Sequence, residues 1–459
     1  MTSSAHLVPS ATSAACARSG RIPFAFGKRF FLALGIGLIW IAPAWWNARY
    51  LWGMAAWDLI VVAAWMWDLG RLPRPQELEI ERRWEAPVAL ATASGVTLTL
   101  RNCGRIAVLA SLRDEVAEAL RDEAPSVDSA AAGGGSGRAS YDVRPKDRGD
   151  ARMGSVFVRY RSYWQLGERW AVARVPQTVR VYPNLEEAKR STMYLIRSRQ
   201  TVMEKRVKHL RGRGREFESL REYRQGDEWR DICWTATARR AKPISKIYRI
   251  ERSQTVWLVL DAGRLLRARW GGQSKLDYAT AAALSLAHVA LYAGDTVGLL
   301  AYGRKLQQRV PPGRGPEHMR ALLEGLAQVR SEAVEANHLR AAEALLTLQK
   351  QRSLMVWLTD LAETATTPEV VESASRMARR HLVFLAVIGQ PEMREVLAKN
   401  PETAREMFRY AAAEEIVQRR DLLLRGLRQQ GALALEIEPL RLSLAVVNQY
   451  LEAKERSLL

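Results

Sequence analysis

The sequence predicts a three-part chain: a helical pair that crosses a membrane, an all-β region of sandwich type, and a doubly wound α/β domain. Three observations predict it. Two apolar stretches, residues 30–46 and 50–67, are separated only by Asn47, Ala48 and Arg49. From residue 77 to about 183 the apolar residues recur with period two. From residue 255 to 459 short apolar runs alternate with longer stretches of helical period. At 459 residues the chain exceeds one ordinary core, so division into domains is expected.

Residues 1–29 are small and polar, then basic at Arg18, Arg21, Lys28 and Arg29, and read as a cytoplasmic tail. Each apolar stretch approaches the ~17 to 25 residues that a helix needs to cross the hydrocarbon core. Together they predict a tight transmembrane hairpin over residues 30–67. The second stretch directly behind the first argues against a cleaved leader. Tryptophans at Trp40, Trp45, Trp46, Trp52, Trp57, Trp65 and Trp67 suit an interfacial belt. Arg71, Arg74, Arg82 and Arg83 follow the second stretch, so basic residues flank the pair on both sides and both ends are expected in the cytoplasm. Asp58 lies inside the second stretch, where a charge costs at least ~2.5 kcal/mol. It reads either as a protonated or helix-facing carboxyl or as a functional one within the membrane.

The β region, residues 77–183, predicts strands near Leu78–Trp84, Val96–Leu100, Ile106–Leu112, Gly154–Tyr160 and Ala171–Val181, the parts of a sandwich. The run from Ala130 to Gly137 (AAAGGGSG) reads as a flexible loop. Residues 185–210 have a helical period and carry Lys189, Arg190, Arg197, Arg199, Lys205, Arg206 and Lys208, giving either a solvated face or an anion-binding surface. Hydrophobic content of 48% with 26% charged residues describes an ordered protein. Lys and Arg number 69 against 49 Asp and Glu, a net charge of +20 that suits an anionic partner such as nucleic acid, lipid headgroups or an acidic protein face. Cys16, Cys103 and Cys233 lie too far apart for zinc-ligand spacing, and their odd number argues against a disulfide framework.

In the α/β domain, residues 255–459, the run Val256–Leu260 ends at Asp261 and the run Leu354–Thr359 ends at Asp360. Continuous apolar runs of this length predict strands buried on both faces of a parallel sheet. Both carboxylates would then stand at carboxyl ends of strands, where open α/β sheets place their ligand sites. No phosphate loop, H-E-x-x-H pair or G-x-S-x-G elbow is present. The six histidines are scattered.

Between the basic stretch and the first of these strands, within residues 185–254, lies a charged and aromatic segment. It contains Gly212-x-Gly214-x-Glu216-Phe217, then Leu220-Arg221-x-Tyr223-x-x-Gly226-Asp227-x-x-Arg230-x-Ile232-x-Trp234 and Ala238-Arg239. This pattern resembles that of the bacterial "domain of unknown function 58" proteins, with Cys233 where that family usually carries Asp or Asn. The resemblance implies a protein of the bacterial inner membrane, multi-pass and mostly cytoplasmic, whose C-terminal part is similar to a von Willebrand factor A domain. Such domains bind a divalent cation through Asp-x-Ser-x-Ser, a threonine and a later aspartate. Here the first motif reads Asp261-Ala262-Gly263-Arg264-Leu265, without either serine, so Asp261 and Asp360 are expected to form a degenerate magnesium site, with Arg264 drawn into a salt bridge. The resemblance also implies a MoxR-type AAA+ ATPase as partner. Arg221, Arg230 and Arg239 among Glu216, Asp227 and Asp231 read as an internal strap of ion pairs or as a docking face with Tyr223, Trp229 or Trp234 as anchors. The expected function is a non-enzymatic membrane adaptor or assembly factor without cofactor or specific nucleic acid. The rivals are a module that binds nucleic acid or anionic lipid, and a metal-dependent enzyme.

Overall fold

A strand stands where a polar tail was expected. In the computed structural model, which describes residues 13–85, 87–121, 123–184, 216–224, 229–249, 254–361 and 367–456, the first element is β1, Ser13–Phe26. The chain divides into two compact units, residues 1–184 and 185–459.

In the first unit β1 is followed by α1 (Lys28–Gly37), a 3-10 turn (Leu38–Trp40), α2 (Ile41–Ala44) and α3 (Tyr50–Arg71). Nine strands then form the β region: β2 (Leu78–Trp84), β3 (Ser94–Asn102), β4 (Val108–Asp114), β5 (Ser126–Ala131), β6 (Ser136–Val143), β7 (Gly149–Met153), β8 (Val156–Arg161), β9 (Gly167–Ala173) and β10 (Gln177–Val181). Eight strands run in the order β5-β4-β8-β9-β1-β2-β3-β6, and β7 pairs with β10. The start of β1 pairs with β2 (Ser13↔Arg82), and its later part pairs with β9 (Ala17↔Ala173), so one strand joins two halves of the sheet. Alternation sets the faces: Leu78 and Ile80 of β2, Val96, Leu98 and Leu100 of β3 and Leu112 of β4 are buried in one core.

Two readings of this region are corrected. The stretch 130–137 is not a loop but the end of β5, a tight turn and the start of β6. Its glycines are there for geometry: Gly134 has φ +72°, and a Cβ on Gly133 would lie 2.1 Å from the Arg105 carbonyl oxygen. Arg82, counted above as a basic flank, is buried in the core, where its guanidinium grips both carboxylate oxygens of Asp114.

Among the described helices only α3 is long and apolar enough to cross a membrane, and little of it is buried. The first apolar stretch is instead broken into α1, the 3-10 turn and α2, which contains Pro43, a residue without an amide donor. Its packing on α3 is close. Trp57 donates its indole N–H to the Ala33 carbonyl at 2.9 Å, and a Cβ on Gly37 would lie 2.8 Å from the Trp57 ring.

In the second unit β11 (Glu216–Glu222) pairs with β12 (Ile244–Arg249), with the short helix α4 (Trp234–Arg240) between them. The basic stretch 185–210, Gly214, Gly226 and Asp227 lie outside the described residues. Then follow β13 (Thr255–Asp261), the two-residue pair β14 (Arg269–Trp270) and β15 (Gln273–Ser274), and α5 (Lys275–Tyr292). The remainder comprises β16 (Thr296–Tyr302), β17 (Leu306–Gly313), α6 (Gly315–Gln328), α7 (His338–Leu348), β18 (Leu354–Thr359), α8 (Thr367–Ala378), β19 (Leu382–Ile388), α9 (Pro391–Leu397), α10 (Ala404–Gln429), β20 (Leu433–Ile437) and α11 (Leu442–Glu455).

The main sheet has the order β17-β16-β13-β18-β19-β20, parallel except for the edge strand β17. Helices cover both faces, as expected. Val256, Leu258 and Leu260 pack with α5, α6 and α11, whereas Trp257 and Val259 pack with α7, α8 and α10. A strand buried on both sides needs apolar residues at every position, which is why β13 and β18 show no alternation.

Candidate functional site

The central strand β13 lies between β16 and β18, with Asp261 opposite Tyr302 and Leu260 opposite Leu358. This register brings Asp261, Tyr302, Thr359 and Asp360 to one edge of the sheet. The two aspartates then part company.

Asp261 is buried among neutral groups. The Thr359 hydroxyl donates to its Oδ2 at 2.7 Å and the Gly263 amide to its Oδ1 at 2.7 Å. Burial pushes its carboxyl above the ordinary value, while His338, Thr359 and the Gly263 amide pull the other way. His338, the first residue of α7, bonds through Nδ1 to the Tyr302 hydroxyl at 2.8 Å, and the Trp357 indole donates to the same hydroxyl. Burial pushes His338 down and Tyr302 well up, each toward its uncharged form. Asp261 and His338 line a shallow cavity whose rim carries Arg264 and Glu335, paired at 2.9 Å. Arg264 thus turns outward to Glu335 and does not bridge the aspartates as expected.

Asp360 is buried among cations. Lys275 Nζ donates to its Oδ2 at 2.6 Å, and Arg420 Nη2 to its Oδ1 at 3.1 Å. Arg420 also donates to Glu436 at 3.0 Å and to the Leu361 carbonyl at 3.1 Å. Lys275 is aimed by its helix. Ser274 caps α5, its side chain accepting from the Asp277 amide while Asp277 reaches back to the Ser274 amide, and Lys275 is the next residue.

A hard cation needs several free oxygen ligands. Here both oxygens of Asp360 hold a protein cation, and both oxygens of Asp261 accept protein donors. The donor set does not fit a magnesium ion.

The signature segment forms an antiparallel pair in which Arg221 stands opposite Ser245, with α4 docked through the Cys233 amide on the Ile244 carbonyl at 2.7 Å. Trp229 and Trp234 are 69% and 68% exposed, and Tyr223 is also exposed. Arg230 lies over the Trp229 ring at 5.6 Å, and Arg239 is in the last turn of α4. Glu216 begins β11. The Thr235 hydroxyl, followed by the Ala236 amide, holds the Cys233 thiol below its ordinary value.

Lys275, Arg420, Thr359, His338 and Tyr302 were not anticipated. Only Lys275 had a local signal, since Ser274 and Asp277 mark a helix start.

A search of proteins of curated function finds no match. Among solved structures, BatB of Bacteroides thetaiotaomicron, described as a conserved hypothetical protein, aligns with 45% of this chain and all of its own at 14% identity and TM-score 0.31. Proximal thread matrix protein 1 of the mussel byssus aligns with 43% of this chain and 46% of its own at 10% identity and TM-score 0.28. An uncharacterised membrane-spanning protein of Vibrio fischeri aligns with 44% of this chain and 98% of its own at 14% identity and TM-score 0.16. None is similar enough to bear on fold or function. The family described as "Protein of unknown function DUF58" matches residues 219–407, a stretch that holds most of the signature segment and both Asp261 and Asp360.

Proposed function

We propose that this protein is a non-enzymatic adaptor or assembly factor, held at the bacterial inner membrane by α3 and its partner helices, with a von Willebrand factor A-like α/β domain that binds protein and no metal. One observation carries this reading: the sheet edge that would hold a ligand is closed by the protein's own cations, Lys275 and Arg420, on Asp360. Recognition then rests on exposed side chains. The signature segment offers Trp229 and Trp234, with Arg230 beside the first, a composition suited to anchoring a protein partner. The chain has no nucleotide-binding motif, and the family resemblance points to a MoxR-type AAA+ ATPase as the partner that supplies energy.

The test uses the full chain in lipid nanodiscs with the MoxR-type ATPase of the same cell. Binding is expected, with Trp234→Ala weakening it by roughly 2 kcal/mol or more, the scale of an interfacial anchor. Full-strength binding by a variant with an unchanged thermal melt would remove Trp234 from the interface. Failure of the wild-type chain to bind would remove the adaptor reading itself.

A further inference from the structure

The base of α3 is wrapped by one loop of the β region. Asp68, three residues from the end of α3, is 1% exposed, and its carboxylate accepts the Ser162 hydroxyl at 2.6 Å and the amides of Leu166 and Gly167 at 3.2 and 2.9 Å. From the other side the Gly27 amide donates to the Leu166 carbonyl at 2.8 Å. A Cβ on Gly27 would lie 2.0 Å from the Gln165 carbonyl oxygen, so only glycine fits there. Gln165 itself has φ 59°, a left-handed conformation that few side chains adopt. A loop held this firmly in a strained shape presents its neighbours to a fixed place.

Those neighbours are aromatic and face solvent: Tyr163 is 79% exposed and Trp164 59%. Beside the loop, Arg29 donates to the Tyr163 carbonyl at 3.5 Å. At the same end of α3, Trp65 meets Phe24 edge to face and Phe26 at a tilt, with ring centroids 5.8 and 4.7 Å away, and both phenylalanines are half exposed. Trp65 is about one helical turn, ~5 Å along the axis, before Asp68. The Arg71 guanidinium lies over the Trp67 ring at 4.1 Å. Aromatic rings at the end of an apolar helix, with exposed Lys28, Arg29 and Arg71 among them, match the polarity of the boundary between acyl chains and headgroups.

We propose that Tyr163, Trp164 and Phe24 form a collar that seats in the headgroup layer of an anionic bilayer around the end of α3, with Lys28, Arg29 and Arg71 taking lipid phosphates. The inference rests on the reading of α3 as a membrane helix and adds a second attachment surface to it. The collar fixes the height and tilt of the first unit over the bilayer, because the loop is clamped to Asp68 and cannot move separately from the helix.

The test uses the full chain with Cys16→Ser, Cys103→Ser and Cys233→Ser, reconstituted in nanodiscs of anionic phospholipid. A spin label is placed at Trp164→Cys or, separately, at Leu59→Cys, in the exposed middle of α3. Contact with dissolved oxygen is compared with contact with a water-soluble nickel chelate. Oxygen should dominate at residue 59, and residue 164 should show the intermediate ratio of the headgroup layer. A label at 164 as open to nickel as a free label in water, with 59 in lipid, overturns the collar and leaves the anchor standing. A label at 59 in water overturns the anchor and the collar together. Brominated lipids give a second measurement that needs no cysteine. Bromines near the headgroups should quench wild-type fluorescence more than that of Trp164→Phe, and equal quenching counts against the collar.

Discussion

Each unit of this protein buries an ion cluster, and the two clusters have different surroundings. In the first unit Arg82 of β2 holds Asp114 of β4 across the core, donates to the carbonyls of Val175 and Gly154 at 2.8 and 3.1 Å, and leaves Asp114 to accept the Tyr141 hydroxyl at 2.6 Å. In the second unit Lys275 and Arg420 hold Asp360 at the end of the sheet. Both clusters are desolvated, and in both each oxygen of the carboxylate accepts a protein donor. The first joins strands in the middle of an apolar layer, where no ligand could reach. The second lies where ligands of open α/β sheets bind, so the same chemistry there closes a site. Position in the fold, more than residue type, decides what a buried ion pair does.

The comparison can be broken first at Asp360. Asp360→Ala strands Lys275 and leaves Arg420 paired with Glu436, and should lose about 3 to 5 kcal/mol of stability, read by denaturant unfolding of the second unit. A loss under about 1 kcal/mol would mean that the cluster is open to water. In the first unit Asp114→Ala should also lose about 3 to 5 kcal/mol, because it leaves Arg82 buried and unpaired. The double variant Arg82→Met with Asp114→Leu should recover much of that loss, since an apolar pair needs no desolvation of charge. No recovery would show that the pair specifies the strand pairing and not merely the local energy.

The smallest effect expected is on pH dependence. His338 is held below its ordinary value by burial, so the folded state binds fewer protons than the unfolded one just below that value. Its contribution is complete above the unfolded value near 6.5 and is lost as pH falls through the folded one. Asp261 is shifted upward, so its contribution is complete below the ordinary carboxyl value of 3.8 and is lost as pH rises. His338→Gln should therefore flatten the loss of stability between about pH 7 and about pH 5, followed by thermal melts. An unchanged slope would assign the acid sensitivity to other groups.

The parallel sheet was legible because strands such as Val256–Leu260 and Leu382–Ile388 are apolar at consecutive positions, a pattern with few other uses. Strand β1 was not legible. Its sequence, SAACARSGRIPFAF, is made largely of small residues without a clear period, and its state is set by the partners β2 and β9. The glycines of residues 130–137 looked like flexibility because composition does not distinguish a loose chain from a turn that only glycine can make. Asp261 and Asp360 were placed correctly at the sheet edge, yet what holds Asp360 lies 85 and 60 residues away in sequence and leaves no trace in local pattern. Arg82 was misassigned because a basic residue near an apolar helix looks the same in sequence whether it faces lipid headgroups or a buried carboxylate.

Strands β1 and β2 are consecutive antiparallel neighbours, so the whole stretch from α1 to α3 is the connection of a single hairpin. A connection that leaves and returns to one sheet must enter and leave a bilayer on the same side. If α3 crosses, another segment of the connection has to cross back, and crossings come only in even number. The same wiring makes the helices impossible to remove by trimming the chain from its start. A fragment that begins at β2 would lack β1 and expose two raw strand edges, on β2 and β9, each with a row of unpaired amides and carbonyls open to strand addition by another copy.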